Sequence, residues 1–176
     1  FSIVLLVIAF ALSLVVFRRD LQLLPQNSYR NNRSANWLKM SGDASSISRI
    51  FLLAILMMLI AFPFVWSDAV ASGLLLAMIV NELRKKYKKP LVFTKRVWRI
   101  YISLIVATLA TLAASALVDC HFVPRVAIVI SFFSYAYVIV VNRMLLPVEN
   151  AINRSYVDDA KRRLAQMPDM KVIGIT

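Results

Sequence analysis

The sequence predicts an all-α membrane protein of about five membrane segments, followed by a polar region that begins a second, α/β domain. Of its 176 residues, 60% are hydrophobic, and the mean hydropathy is +0.72. The apolar residues form long blocks separated by basic loops, a pattern that excludes an ordinary soluble globule. Residues 147–176 differ, because charged residues are spread through them.

Five apolar blocks predict the membrane segments. The first would be about 26 Å long as a helix, close to the hydrocarbon thickness of about 30 Å. A signal peptide is the alternative, but Arg18 and Arg19 stand where a small-residue cleavage site is expected. The second and third blocks are interpreted as a hairpin, which either crosses fully or re-enters, because one continuous helix would be too long. The predicted segments are residues 1–17, 50–66, 69–83, 97–117 and 122–141.

Charge predicts the orientation. Of the 21 Lys and Arg residues, all except Arg125 lie in residues 18–49, in residues 81–99 or in the tail from residue 142. Basic loops stay on the cytoplasmic side, so we expect the N-terminus outside and the C-terminus inside.

The densest basic stretch lies between the third and fourth segments. Its simplest role is to set topology, and a sharper hypothesis is a surface for anionic lipid headgroups, at about 1 kcal/mol for each basic residue. Nucleic acid is not expected as a partner, because no basic surface interleaved with aromatics is apparent. The candidate lipid-binding residues are Arg84, Lys85, Lys86, Lys88, Lys89, Lys95 and Arg96.

The sequence predicts no catalytic, cofactor-binding or metal-binding residue. No predicted segment has a charged residue near its middle, where ion and proton pathways usually need one. Cys120 and His121 are adjacent and supply only half of a zinc site. Ser131, Ser134 and Tyr135 share a helical face, which is typical of hydrogen bonding between helices.

The tail predicts a cytoplasmic amphipathic helix that starts at Pro147 and then a short strand over residues 171–175. Asp158 and Asp159 precede Arg162 and Arg163 by four residues, a spacing that favours ion pairs. The strand has no partner in the chain, so we expect it to be the first strand of a soluble domain that continues beyond residue 176. The apolar face of the helix comprises Val148, Ile152, Tyr156, Ala160 and Leu164.

Residues 153–176 resemble the segment that leads into the ATP-binding glycine loop of membrane-anchored members of the Mur ligase family. Their sequence is NRSYVDDAKRRLAQMPDMKVIGIT. Residues 21–39 (LQLLPQNSYRNNRSANWLK) and 88–97 (KKPLVFTKRV) are similar to cytoplasmic loops of the same proteins.

The resemblance implies the N-terminal anchor, in a bacterial cytoplasmic membrane, of an ATP-dependent amide-bond ligase of peptidoglycan precursor synthesis. ATP and Mg²⁺ would bind in the domain beyond residue 176, so no cofactor is expected in this fragment. The expected partners are the lipid bilayer, the downstream catalytic domain and cell-wall synthesis enzymes. A small multispanning transporter or lipid-handling protein without an enzymatic domain is the alternative.

Overall fold

The computed structural model describes residues 2–26, 28–41, 47–62, 64–85 and 91–166, and these are helical apart from short turns and connections. It divides into two units, Phe1–Arg143 and Met144–Thr176. An all-α fold is therefore confirmed for the described residues. The strand predicted over residues 171–175 lies outside them, and the predicted domain boundary between residues 146 and 147 stays a prediction.

Eight α-helices follow one another along the described chain. Thr94 starts α6, because its hydroxyl accepts the Val97 backbone N–H at 3.3 Å and satisfies a donor that the helix leaves open. A 3-10 turn, Cys120–Phe122, links α6 to α7. The helices are α1 (Ser2–Leu21), α2 (Leu23–Gln26), α3 (Asn31–Ser41), α4 (Ile47–Ala61), α5 (Val65–Arg84), α6 (Lys95–Val118), α7 (Val123–Phe132) and α8 (Ser134–Ala165).

Helix α1 is the centre of the first unit. It packs most extensively against α7 and α5 and also contacts α6, while α4 packs on α5 and α7. Ala9, Leu12 and Phe17 are fully buried along it. Because α1 packs closely against several neighbouring helices, it lies inside the bundle and those helices lie around it.

Within the described ranges, two helices are long and apolar enough to cross a membrane: Trp66–Arg84, within α5, and Lys95–Val118, which is α6. The bent pair α7 and α8 would add a third if it forms one span. Helix α4 is apolar but shorter, and the last turn of α1 carries Arg18 and Arg19. Only 22% of the apolar window of each long span is buried, which is typical of surfaces that contact lipid or a partner.

The fifth predicted segment is not one straight helix. Residues 122–141 divide at Phe133 into α7 and the start of α8, and the two helices are bent by 79°. The prediction that the tail helix starts at Pro147 is wrong as well, because Pro147 lies inside α8. Proline has no N–H to donate to the Arg143 carbonyl, so one helical hydrogen bond is missing there.

Candidate functional site

A cluster of buried charged side chains lies where α1, α4, α5 and α8 meet. Arg19 and Asp20 belong to the last turn of α1, and Arg49 belongs to the first turn of α4. Glu82 lies in the last turn of α5. We call this group the buried charge cluster. Its members are Arg19, Asp20, Arg49, Glu82, Ser134 and, at its exposed edge, Lys85.

The Asp20 carboxylate is the centre of the cluster and is only 1% exposed. Its Oδ1 accepts the Arg19 Nε hydrogen at 2.9 Å. Its Oδ2 accepts the Ser134 hydroxyl hydrogen at 2.5 Å and lies 3.6 Å from Arg49 Nη2. One carboxylate therefore joins the end of α1 to the beginnings of α4 and α8.

The Arg49 guanidinium occupies the break between α7 and α8. Its Nη1 donates to the Phe132 carbonyl at 3.2 Å. Because the chain turns at Phe133, that carbonyl is open to a side-chain donor, as carbonyls at helix ends are. Arg49 is 6% exposed, and its Nε and Nη2 have no hydrogen-bond partner among the residues that the structure describes. The nearby Asp20 charge is thus its main electrostatic compensation.

Glu82 forms the second acidic centre of the cluster, and its side chain is 4% exposed. Its Oε1 lies 2.6 Å from Lys85 Nζ and 3.3 Å from Arg19 Nη1. Arg19 therefore contacts both carboxylates and connects α5 to the Asp20 centre. Charge-assisted hydrogen bonds of this kind are roughly twice as strong as neutral ones.

A layer of neutral polar contacts continues from the cluster along α3 and the start of α8. The Asn142 Nδ2 group donates to Asn31 Oδ1 at 2.6 Å and to the Tyr29 carbonyl at 3.3 Å. The Asn31 Nδ2 group donates in turn to the Ile139 carbonyl at 3.4 Å. The Arg96 guanidinium lies 3.9 Å from the centre of the Tyr29 ring, a cation–π distance. These contacts hold α3 and the start of α6 against the same end of the unit.

The predicted lipid-binding residues have different surroundings. Arg84 and Lys95 are exposed at the ends of α5 and α6. Lys85 pairs with Glu82, and Arg96 lies over Tyr29. Lys86, Lys88 and Lys89 lie outside the described residues. Nothing in the structure tests the lipid role of this set, which stays a prediction.

A cavity of about 560 Å³ lies at the ends of α1, α4 and α5 that are opposite to the buried charge cluster. Arg125 stabilises its wall, donating to the His121 carbonyl at 2.7 Å and to the Leu59 carbonyl at 3.2 Å. Asp119 caps the 3-10 turn by accepting the His121 N–H at 2.8 Å. Across the part of the chain that the structure describes, no three His, Cys, Asp or Glu side chains group to hold a metal ion.

Sequence reasoning identified only part of the buried charge cluster. The face predicted from Ser131, Ser134 and Tyr135 does include one bond between helices, from Ser134 to Asp20, whereas Ser131 donates to Ala127 in its own helix. The charge pattern that predicts the orientation uses Lys and Arg alone and assigns no role to Asp20 or Glu82. A usable signal was present, since each acid stands within one turn of the end of an apolar block and within two residues of a basic residue.

No family model, curated protein or solved structure matches the chain. The geometry of the cluster and the exposed apolar faces are therefore the structural basis for a functional proposal. Chemically, the cluster balances buried charges and fastens four helices at one end. It is a structural centre on which the membrane unit depends.

We predict that Asp20→Asn strongly destabilises the first unit. Removing one partner of a buried ion pair leaves the other charge uncompensated and costs about 3–5 kcal/mol. The matched control is Asp159→Asn, which removes the exposed pair Asp159–Arg163, 3.0 Å long, and should cost less than about 1 kcal/mol. Reversible unfolding in detergent measures both changes.

A double variant separates the pair from its surroundings. Asp20→Asn combined with Arg49→Gln should cost less than the sum of the two single changes, because no unpaired Arg49 charge remains. If Asp20→Asn and Asp159→Asn lowered the free energy of unfolding by the same small amount, the cluster would contribute no more stability than an exposed ion pair.

Proposed function

We propose that this chain is the membrane anchor of a Mur-type ATP-dependent amide-bond ligase of peptidoglycan precursor synthesis. The observation that carries the anchor role is the apolar surface of α5 and α6, since only 22% of the apolar window of each helix is buried. Trp66 is 82% exposed, and Leu117 is 90% exposed. Large exposed apolar surfaces require lipid or a partner to cover them.

The proposed arrangement has five membrane segments, with the N-terminus outside and the C-terminus inside. Helices α5 and α6 and the bent pair provide up to three spans, and α1 and the hydrophobic helix α4 would complete the five. Helix α1 suits this role because its apolar residues pack within the bundle. The buried charge cluster would lie at the cytoplasmic end, where polar atoms can approach headgroups and water.

The ligase part of the proposal is supported by the resemblance of residues 153–176 and by the character of α8. The second unit contains an exposed helix with the predicted ion pair between Asp159 and Arg163. Val148, Tyr156 and Leu164 are 48%, 65% and 47% exposed along the predicted apolar face. This face would pack against the catalytic domain, which would bind ATP and Mg²⁺, or against cell-wall synthesis enzymes. Within the Mur family, the proposed enzyme is similar to UDP-N-acetylmuramoyl-tripeptide:D-alanyl-D-alanine ligase.

We expect the native thiol of Cys120 to report the topology directly. Cys120 is the single cysteine of the sequence, and it is exposed at the turn between α6 and α7. In the proposed orientation this turn is outside, so a membrane-impermeant maleimide should label Cys120 in intact spheroplasts. The matched control is Cys120→Ser combined with Ser155→Cys, which should label only after lysis. Labelling of the two thiols in the opposite order, or of both in intact cells, would contradict the orientation.

The ligase hypothesis predicts ATP-dependent joining of D-alanyl-D-alanine to the UDP-linked tripeptide precursor by membranes containing the full gene product. This chain expressed alone should sediment with the same membranes and show no ligation. Sequencing the gene past codon 176 provides the companion test, since the family requires a G-x-x-x-x-G-K-[ST] phosphate loop. Ligation by this chain alone would overturn the proposal, as would a gene product that lacks the loop.

A further inference from the structure

A small cavity of about 200 Å³ lies beside the buried charge cluster, between the ends of α1 and α5. Arg18, Arg19 and Lys85 line it with positive charge. Val15, Leu83 and Leu91 line it with apolar surface. A cavity of this size is smaller than those that enclose whole drug-sized ligands, so it suits a single headgroup.

The charged side chains that line the cavity carry a net positive charge, which favours binding of an anion. Glu82 is the acidic side chain of the lining, and it already contacts both Arg19 and Lys85. Arg18 is exposed and makes no ion pair within the residues that the structure describes. Arg19 contacts both Asp20 and Glu82, and Lys85 contacts Glu82, so Arg18 is the cation of the lining that a bound phosphate would compensate.

The apolar walls distinguish a lipid from a soluble phosphate compound. Val15 belongs to the hydrophobic length of α1, and Leu83 to the last turn of α5, where it is 61% exposed. A phospholipid presents its phosphate at the level where apolar spans end and its acyl chains along the spans themselves. An inorganic phosphate or a nucleotide would leave this apolar wall uncovered.

We propose that this cavity is a binding site for the phosphate of an anionic membrane phospholipid, with Arg18 as its main open contact. The proposal rests on the membrane role proposed above. It adds Arg18, Arg19 and Gln22 to a lipid surface that the sequence predicted from residues 84–96. It also gives Glu82 a role within a strongly basic region, because its carboxylate holds Arg19 and Lys85 in place beside the cavity.

The test is a titration of the purified chain with phosphatidylglycerol or phosphatidylcholine, followed by native mass spectrometry. The wild-type chain should bind phosphatidylglycerol in preference to phosphatidylcholine, whose choline cation would face Arg18. Arg18→Gln should weaken phosphatidylglycerol binding about fivefold, the effect of one basic residue near a membrane surface. Arg154→Gln, an exposed control on α8, should leave binding unchanged.

Three outcomes would overturn the site. Equal weakening by Arg18→Gln and Arg154→Gln would indicate diffuse surface charge, and equal binding of the two lipids would exclude recognition of an anion. Displacement of the lipid by millimolar inorganic phosphate would assign the cavity to a soluble anion.

Unchanged thermal unfolding of Arg18→Gln shows that the variant is folded. The Cys120 labelling pattern tests the membrane role separately, so failure of either proposal can be recognised.

Discussion

The Asp20 carboxylate is the constraint on which the rest of the first unit depends. It is nearly fully buried, and it contacts side chains from the ends of three helices. A buried carboxylate is costly unless ion pairs and hydrogen bonds compensate it. Arg49 and Ser134 must therefore both lie beside the end of α1, where they can contact Asp20.

This constraint accounts for the bend between α7 and α8. The hydroxyl of Ser134 binds Asp20, and the carbonyl of Phe132 binds Arg49, so polar groups on both sides of Phe133 find partners outside their own helices. A straight helix through Phe133 would commit the Phe132 carbonyl to the backbone instead. The bend lets α7 pack on α1 while the beginning of α8 contacts Tyr29 and Asn31.

The helices were largely predictable because long apolar blocks dominate the sequence. The bend was not, because its stabilising contacts join residues 114 and 83 positions apart, and no local pattern records such distances. The predicted helix start at Pro147 was wrong because proline is compatible with two positions. It suits a first helical turn, but it is also tolerated inside α8 at the loss of one hydrogen bond. Charge counting located the basic stretch, yet it could not show that Lys85 pairs with Glu82 or that Arg96 lies over Tyr29.

The same cluster connects the structural account to the proposed function. An anchor needs a rigid membrane unit and a firm attachment for the helix that leaves it, and Asp20 and Asn142 fix the first turns of α8 within that unit. The adjoining cavity shares Arg19, Glu82 and Lys85 with the cluster. The proposed lipid site and the cluster that attaches α8 would therefore have these three side chains in common and lie at the same end of the bundle.

Hydrogen–deuterium exchange on Asp20→Asn beside the wild-type chain tests the central claim most directly. If Asp20 holds the bend, backbone amides of the last turn of α7, the first turns of α8 and the first turn of α4 should exchange faster in the variant. Those in the middle of α6 should keep their rates, because α6 contributes no side chain to the cluster. Unchanged exchange around Phe133, or equal acceleration throughout α6, would contradict the claim that this carboxylate organises the unit.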